Sequence, residues 1–378
     1  MKLHPAGVII LILGAVLLAW TCHSPPKVGL IGYAQEEGFT NVVPLAAELI
    51  GEDSGMAERV GFHVAELRSD SATAKDVRIA LDVTTLHGLS AVLGPGSSRG
   101  MLAAAPIYDD ARIPVITPTA TSRLVQRVGA WTFMLAPNDS VEGAYLAQVA
   151  AERFHARTVT IFHVNDEYGT GLRDAILADL EHRGIPVLDV RPLPDTPGWC
   201  TSQGPTAAFA GVVQASLRHG IADVVIAATR DLGTGCLAKQ LDQSGALRRI
   251  LAGDGTLMNG DLFDQAGGAA DSVYAAAFWH PARADPVSQR FVTRYTARFG
   301  SVPNHGEAMR FDAVMILAEA IREAGPVPDA VRAWLSELGR SRPAYHGVTG
   351  ALAFGAARTT SFTLIRADRT TRLSLLVP

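Results

Sequence analysis

The sequence predicts an α/β protein of two doubly wound units, and three observations carry that reading. Short runs rich in Val, Ile and Leu alternate with segments of helical period about ten to fifteen residues long, which implies parallel sheets covered on both faces. The alternation restarts after Pro137, so two such units are expected rather than one. At 378 residues the chain is long enough for two cores.

Taken in order, Lys27–Gly32 (KVGLIG) reads as the first strand and Thr40–Ile50 as the first helix. Gly61–Leu67 is the next strand, Ala72–Leu86 the next helix, and Leu89–Leu93 and Val115–Ile116 close two further strand–helix units. In the second unit Thr158–His163, Val187–Val190, Ala222–Ala227 and Ile250–Ala252 are strands, with helices at Gly171–Arg183, Phe209–His219 and Leu232–Ser244 between them. A strand at Val273–Phe278 leads to helices at Pro286–Phe299, Glu307–Ala324 and Asp329–Leu338. From Gly347 the tail alternates apolar and polar residues as antiparallel strands do. Pro192–Pro205, with four Pro and two Gly, reads as a surface loop of the second unit.

The N-terminus points to export. Val8–Leu18 is an unbroken apolar run after a weakly basic start, followed by Cys22 and then Pro25-Pro26. Spanning a bilayer takes roughly 20 apolar residues, so this run suits the core of a signal peptide over residues 1–22. Cys22 resembles the lipid-attachment cysteine of bacterial lipoproteins, although Trp20 stands where that pattern has a small residue. An uncleaved N-terminal anchor is the alternative. A periplasmic location follows, with a membrane tie only through such a lipid.

Composition narrows the function classes. Lys and Arg number 33 against 37 Asp and Glu, so there is no basic footprint for nucleic acid. Beyond Cys22 only Cys200 and Cys236 remain. In an oxidising compartment they can pair, closing a loop that contributes on the order of 3–4 kcal/mol in the chain-entropy account; two buried thiols are the other reading. So few cysteines at that spacing do not make a zinc site. There is no GxSxG elbow, HExxH pair or phosphate loop ending in GK[ST], and the histidines are scattered. No catalytic residue, metal or cofactor is therefore expected.

The most telling chemistry lies between Leu93 and Leu124. GPGSSRG and then TPTATS place two clusters of hydroxyls and backbone N–H groups after consecutive strands. No base stands beside them to make a nucleophile. Together they suit a small anion such as a carboxylate, held at a helix N-terminus. Tyr33, just after the first strand, lies toward the same end of the sheet.

Several ordered motifs now resemble one family. GP-x-SS precedes A-x-x-P-I-Y and TPTAT; APND-x-x-x-G, VNDEYGTGL, GDG, RFG-x-x-P, RFDAV and YHGVTGALAF follow in order. From about Lys27 to Leu364 the chain is similar to type I periplasmic binding proteins of the leucine/isoleucine/valine-binding kind. The resemblance implies two lobes joined by three hinge crossings, near Ala136–Asn138, Trp279–Pro281 and His346–Val348. Lobe one is then 27–136 plus 281–345, and lobe two 137–280 plus 346–378.

The resemblance also implies a site. Ser98 matches a serine that binds the ligand carboxylate, Thr119 a position whose carbonyl takes the ligand ammonium, and Thr121 a threonine that binds both. From lobe two, Tyr168 matches a tyrosine that covers the ligand, and Asp254 stands at the acidic position that pairs with the ammonium. Where leucine-type binders carry aromatic cover, this chain has Ala228-Thr229-Arg230-Asp231. Thr229 is thus a further candidate, and Arg230 or Asp231 either reaches the ligand or caps the next helix. The implied function is a monomeric solute receptor that delivers an amino acid or related small carboxylate to an ABC permease. The alternative is the same fold acting as a sensor or as carrier of a larger hydrophobic, amide or aromatic ligand.

Overall fold

In the computed structural model, residues 29–34, 39–65, 72–193, 200–201, 204–354 and 362–377 are described. Residues 1–28, the expected leader and Cys22 among them, and 35–38 lie outside them.

The first sheet has the strand order β2-β1-β3-β4-β5 and is parallel throughout. Its strands are β1 Gly29–Ala34, β2 Val60–Ala65, β3 Leu89–Leu93, β4 Val115–Thr117 and β5 Thr132–Met134. The helices among them are α1 Phe39–Glu52, the single turn α2 Ser54–Ala57, α3 Ala72–Thr84 and α4 Ser98–Ala111. All of β3 is buried, as expected of a strand covered on both faces.

The second sheet begins with β6 Val159–Val164 and β7 Val187–Leu193 and runs β16-β15-β12-β11-β10-β6-β7. α5 Asp139–Gln148, which ends in a π turn at Val149–Arg153, precedes β6, and α6 Glu167–His182 lies between β6 and β7. A short pair, β8 Cys200–Thr201 with β9 Gly204–Pro205, interrupts the Pro-rich loop before α7 Ala207–Leu217. β10 Val224–Ala228, α8 Asp231–Gln243, β11 Arg249–Ala252, α9 Asp261–Ala266 and β12 Val273–Ala277 complete the parallel part. Cys200 and Cys236 are joined as a disulfide, their Cα atoms 6.1 Å apart, which ties that loop to α8.

After β12 the chain returns to the first lobe. α10 Pro286–Phe299 and α11 His305–Ala324 pack against α1, and α12 Pro328–Glu337 packs on α11 and β3. The hairpin β13 Tyr345–Gly347 with β14 Gly350–Leu352 follows. β15 Thr363–Asp368 then adds antiparallel to β12, and β16 Leu373–Leu376 to β15.

The β13–β14 hairpin is tied to the helices and strands of the first sheet's lobe. Val348 and Thr349 donate their N–H groups to Asp312 of α11 at 2.7 and 2.8 Å. Phe354 packs edge-on against Phe133 of β5 at 5.1 Å. Through these contacts the hairpin is anchored to α11 and β5.

Both sheets reverse their winding direction once, the first between β1 and β3 and the second between β6 and β10. At such a switch point the loops after the two strands part and leave a crevice at the carboxyl ends. Ser98 follows β3, Tyr168 follows β6 and Thr229 follows β10, so topology alone carries the candidates to the two crevices. Among the described residues, no helix is long and apolar enough to cross a membrane.

Candidate functional site

The lobe-one side of the site is built from two loops sewn together by hydroxyls. Ser97 caps α4, accepting from Gly100 N–H at 3.1 Å. Thr117 donates to the Pro95 carbonyl at 2.6 Å and Thr119 to the Gly96 carbonyl at 2.9 Å. Ser98 Oγ accepts from Ser122 N–H at 3.2 Å, which leaves its own proton to donate to an anion. The Thr121 hydroxyl is buried with no hydrogen-bond partner. Ser98, Thr119 and Thr121 therefore do come together. Tyr33 lies in β1 in register with Leu93 and is buried in the lobe-one core, its hydroxyl pKa raised by that burial.

Lobe two faces this cradle with acids. Tyr168, in the first turn of α6, accepts from Gly255 N–H at 3.1 Å, and the Arg230 guanidinium lies 5.1 Å over its ring. The chain comes so close that a Cβ on Gly253 would stand 2.6 Å from the Tyr168 oxygen, which accounts for glycine there. Asp254 follows, 3% exposed, and its N–H donates to Glu142 Oε1 at 2.6 Å. Glu142 and Asp139 are fully buried. Both oxygens of Asp139, Oε2 of Glu142 and Oδ1 of Asp254 have no hydrogen-bond partner.

Three carboxyl groups so placed cannot all ionise cheaply. Burial, with the Asp254 charge beside it, holds Glu142 well above the usual carboxylate range. Asp254 is raised as well, chiefly by burial. Burial pushes Asp139 up to about 7, the carboxylates of Asp254 and Asp166 adding to it and the Thr121 hydroxyl and Arg123 opposing. The Thr121 hydroxyl thus stands beside the Asp139 carboxyl without closing a bond of good geometry. Among the described residues no group of acids, histidines and cysteines is arranged to hold a metal ion.

Ion pairs join the lobes across the mouth of the cleft. Arg99, at the head of α4, reaches Glu167 at 3.1 Å and Asp166 at 3.7 Å. Within lobe two, Arg230 also reaches Asp166 at 2.6 Å. Farther along, Asn304 donates to the Met258 carbonyl at 2.7 Å, and His305 lies 3.3 Å from the Thr256 carbonyl. A cavity of about 760 Å³ opens beside the cradle rather than within it. Ser122, Arg123, Asp139, Asn165, Asp166 and Gly171 are among its lining residues. Asp139 is the residue that belongs to both places.

Two expectations change. The Thr229 hydroxyl is committed to Thr234 at 2.6 Å, in a chain that continues to Thr256 at 3.0 Å. It braces the loops of lobe two instead of facing the cleft. Asp231 does not cap α8; its carboxylate accepts three N–H groups, from Leu257, Met258 and Asn259. Sequence reasoning missed Asp139, Glu142 and Arg99. The first two stood in the APND-x-x-x-G motif, three residues apart and so on one face of a helix, which was the available signal.

Two lobes meeting over a polar cradle define a ligand-binding fold of the kind that grips a small solute. The chain belongs to the periplasmic binding protein family, which matches residues 26–363. That family comprises solute-binding receptors. It is 24% identical over 276 residues to a leucine-, isoleucine-, valine-, threonine- and alanine-binding protein of Pseudomonas aeruginosa, covering 70% of this chain and 69% of that one. To the Leu/Ile/Val-binding protein BraC3 of Rhizobium johnstonii it is 25% identical over 332 residues, with 84% and 85% covered. In three dimensions it superposes on the branched-chain amino acid transporter substrate-binding protein of Streptococcus pneumoniae, solved with isoleucine, at a TM-score of 0.79. That match has 19% identity and covers 93% of this chain and 99% of the other, and it shows the type I two-lobe fold.

Proposed function

We propose that this protein is an extracytoplasmic receptor that closes on an α-amino acid, or a related small carboxylate bearing an amine, and delivers it to an ABC importer. One observation carries the reading: a hydroxyl-rich helix N-terminus in lobe one faces a buried carboxyl, Asp254, in lobe two. The first suits a carboxylate and the second an ammonium, which needs a countercharge once it leaves water. The names of the relatives, amino-acid binders of ABC transporters, support the same class. In this reading Ser98 takes the carboxylate, the Thr119 carbonyl takes the ammonium, Thr121 binds both ends, Tyr168 covers the ligand and Tyr33 lies toward the cleft. Lobe one holds the ligand first and lobe two buries it by hinge closure. The protein acts as a monomer, exported by its N-terminal leader and held to the membrane, if Cys22 is acylated, only by that lipid.

A thermal-shift screen against amino acids, amides, aromatic acids and lipids tests it. A cognate ligand at a hundred times its Kd stabilises the fold by about 2.7 kcal/mol. A response confined to lipids, or to acids without an amine, overturns the proposal.

A further inference from the structure

We propose that Asp139 is a second ligand-binding carboxylate, which meets the ligand's ammonium alongside Asp254, and that Glu142 is the positioning residue that sets Asp254 in place. The inference rests on the amine-bearing ligand proposed above and assigns further residues to that site.

Asp139 is the first residue of α5, yet the helix does not use its carboxyl. The cap is Asn138, whose side chain accepts from Ser140 and Val141 N–H groups at 3.0 and 3.2 Å. No ion pair within 4 Å engages Asp139 among the described residues, although Arg123 is near enough to favour its charge. The carboxyl is nonetheless fully buried, with both oxygens lacking a partner. Buried polar atoms are rarely left so without a reason. Its place is also kept open from the other side, since a methyl group on Gly171 of α6 would collide with Asp139 Oδ2.

The surroundings say what is missing. Thr121 Oγ1, Asp254 Oδ1 and the two oxygens of Asp139 are all buried acceptors with no donor. The groups facing Asp139 are Thr121 and Arg123 from lobe one and Asp254 and Asp166 from lobe two. A primary ammonium has three N–H donors in a tetrahedral array, enough to give one to each of Thr121, Asp254 and Asp139. A ligand without an amine brings no such set of donors to them. Glu142 works one step back: its Oε1 holds the Asp254 N–H, so it fixes where Asp254 stands and need not touch the ligand.

The test uses the full chain and calorimetry. Each of the twenty α-amino acids is titrated in turn; the tightest binder becomes the probe, paired with the same acid lacking its amine. Asp139→Asn is expected to weaken the amino acid by about 10- to 100-fold, the range for a hydrogen bond to a charged group. Binding of the amine-free acid stays unchanged, which a merely structural role would not produce. Gly171→Ala, which crowds the carboxyl without altering its chemistry, shows the same amine-specific loss. Glu142→Gln, which keeps an oxygen for the Asp254 N–H, gives a smaller loss than Asp139→Asn. Binding to the wild type near pH 6.5 also releases protons, seen as a dependence of the heat on the buffer's ionisation enthalpy, and Asp139→Asn reduces that release. If the wild type binds no α-amino acid, the amino-acid reading itself fails. If it binds one and both variants bind it equally well, Asp139 has no such role and only this inference falls.

Discussion

At Asp254 the backbone and the side chain do separate jobs. The N–H is fixed to Glu142 while Oδ1 is left without a donor, so the backbone bond sets where the side chain stands. Asp254→Ala is expected to weaken an amino-acid ligand by about 2–5 kcal/mol, the usual result of removing one partner from a buried charge pair, as titration calorimetry would show. An unchanged affinity would mean that the ammonium is held elsewhere. Much of this was legible in the sequence: Ser98, Thr121, Tyr168 and Asp254 sit in motifs whose order fixes their place. Asp139 and Glu142 were not, since an Asp and a Glu in the first turn of a helix are routine partners of its dipole. Only the packing of α5 against α6 and the loop of Asp254 shows that they are buried instead.

Among the elements, the loop after β11 depends on one side chain for its shape. Asp231 gathers the N–H groups of Leu257, Met258 and Asn259, and Leu257 has a positive φ of 63° that the loop must support. Asp231→Ala leaves three buried or half-buried donors without an acceptor. A loss on the order of 2–3 kcal/mol in a denaturant melt is expected, from the worth of hydrogen bonds to a charged group; no loss would show that water replaces the carboxylate. The sequence placed the strands and helices well because apolar period and caps are local. Pro286–Phe299 was read to the residue, with Asp285 as cap and Pro at its start. The same locality explains one error. Asp231 before a helix reads as a cap, whereas long-range partners, the N–H groups of Leu257, Met258 and Asn259, decide its role.

Across the whole molecule, buried acids set the response to pH. Asp139 and Asp231 are raised to about 7, and Asp76 and Asp312 to about 6, each chiefly by burial. In the unfolded chain an Asp titrates near 3.9. Between about pH 4 and 7 these acids hold more protons in the folded protein than in the unfolded one, so their contribution to stability falls as pH rises through that window. His163, His280 and His305, held low by burial, act the other way at its acid end. The melting temperature of the ligand-free protein should drop from pH 5 to pH 8; a rise over that range would mean these acids ionise freely in the fold. The two-unit plan was legible because the alternation restarts after Pro137. The hairpin that begins at Tyr345 and the late strands of sheet two share one antiparallel pattern, so the sequence alone does not tell them apart.

Trp279 stands on the second passage, directly after β12. It is 2% exposed, and its indole N–H donates to Ser288 Oγ at 2.6 Å at the head of α10. Its ring lies edge-on to Phe291 at 6.0 Å. If the two halves swing about this segment as proposed, Trp279 is an optical gauge at the joint, a fluorophore whose quenching neighbours and polarity would shift. Titrating an amino-acid ligand should change the tryptophan emission, and Trp279→Phe should remove most of that signal without abolishing binding. A signal that survives the substitution would place the bending strain at another joint.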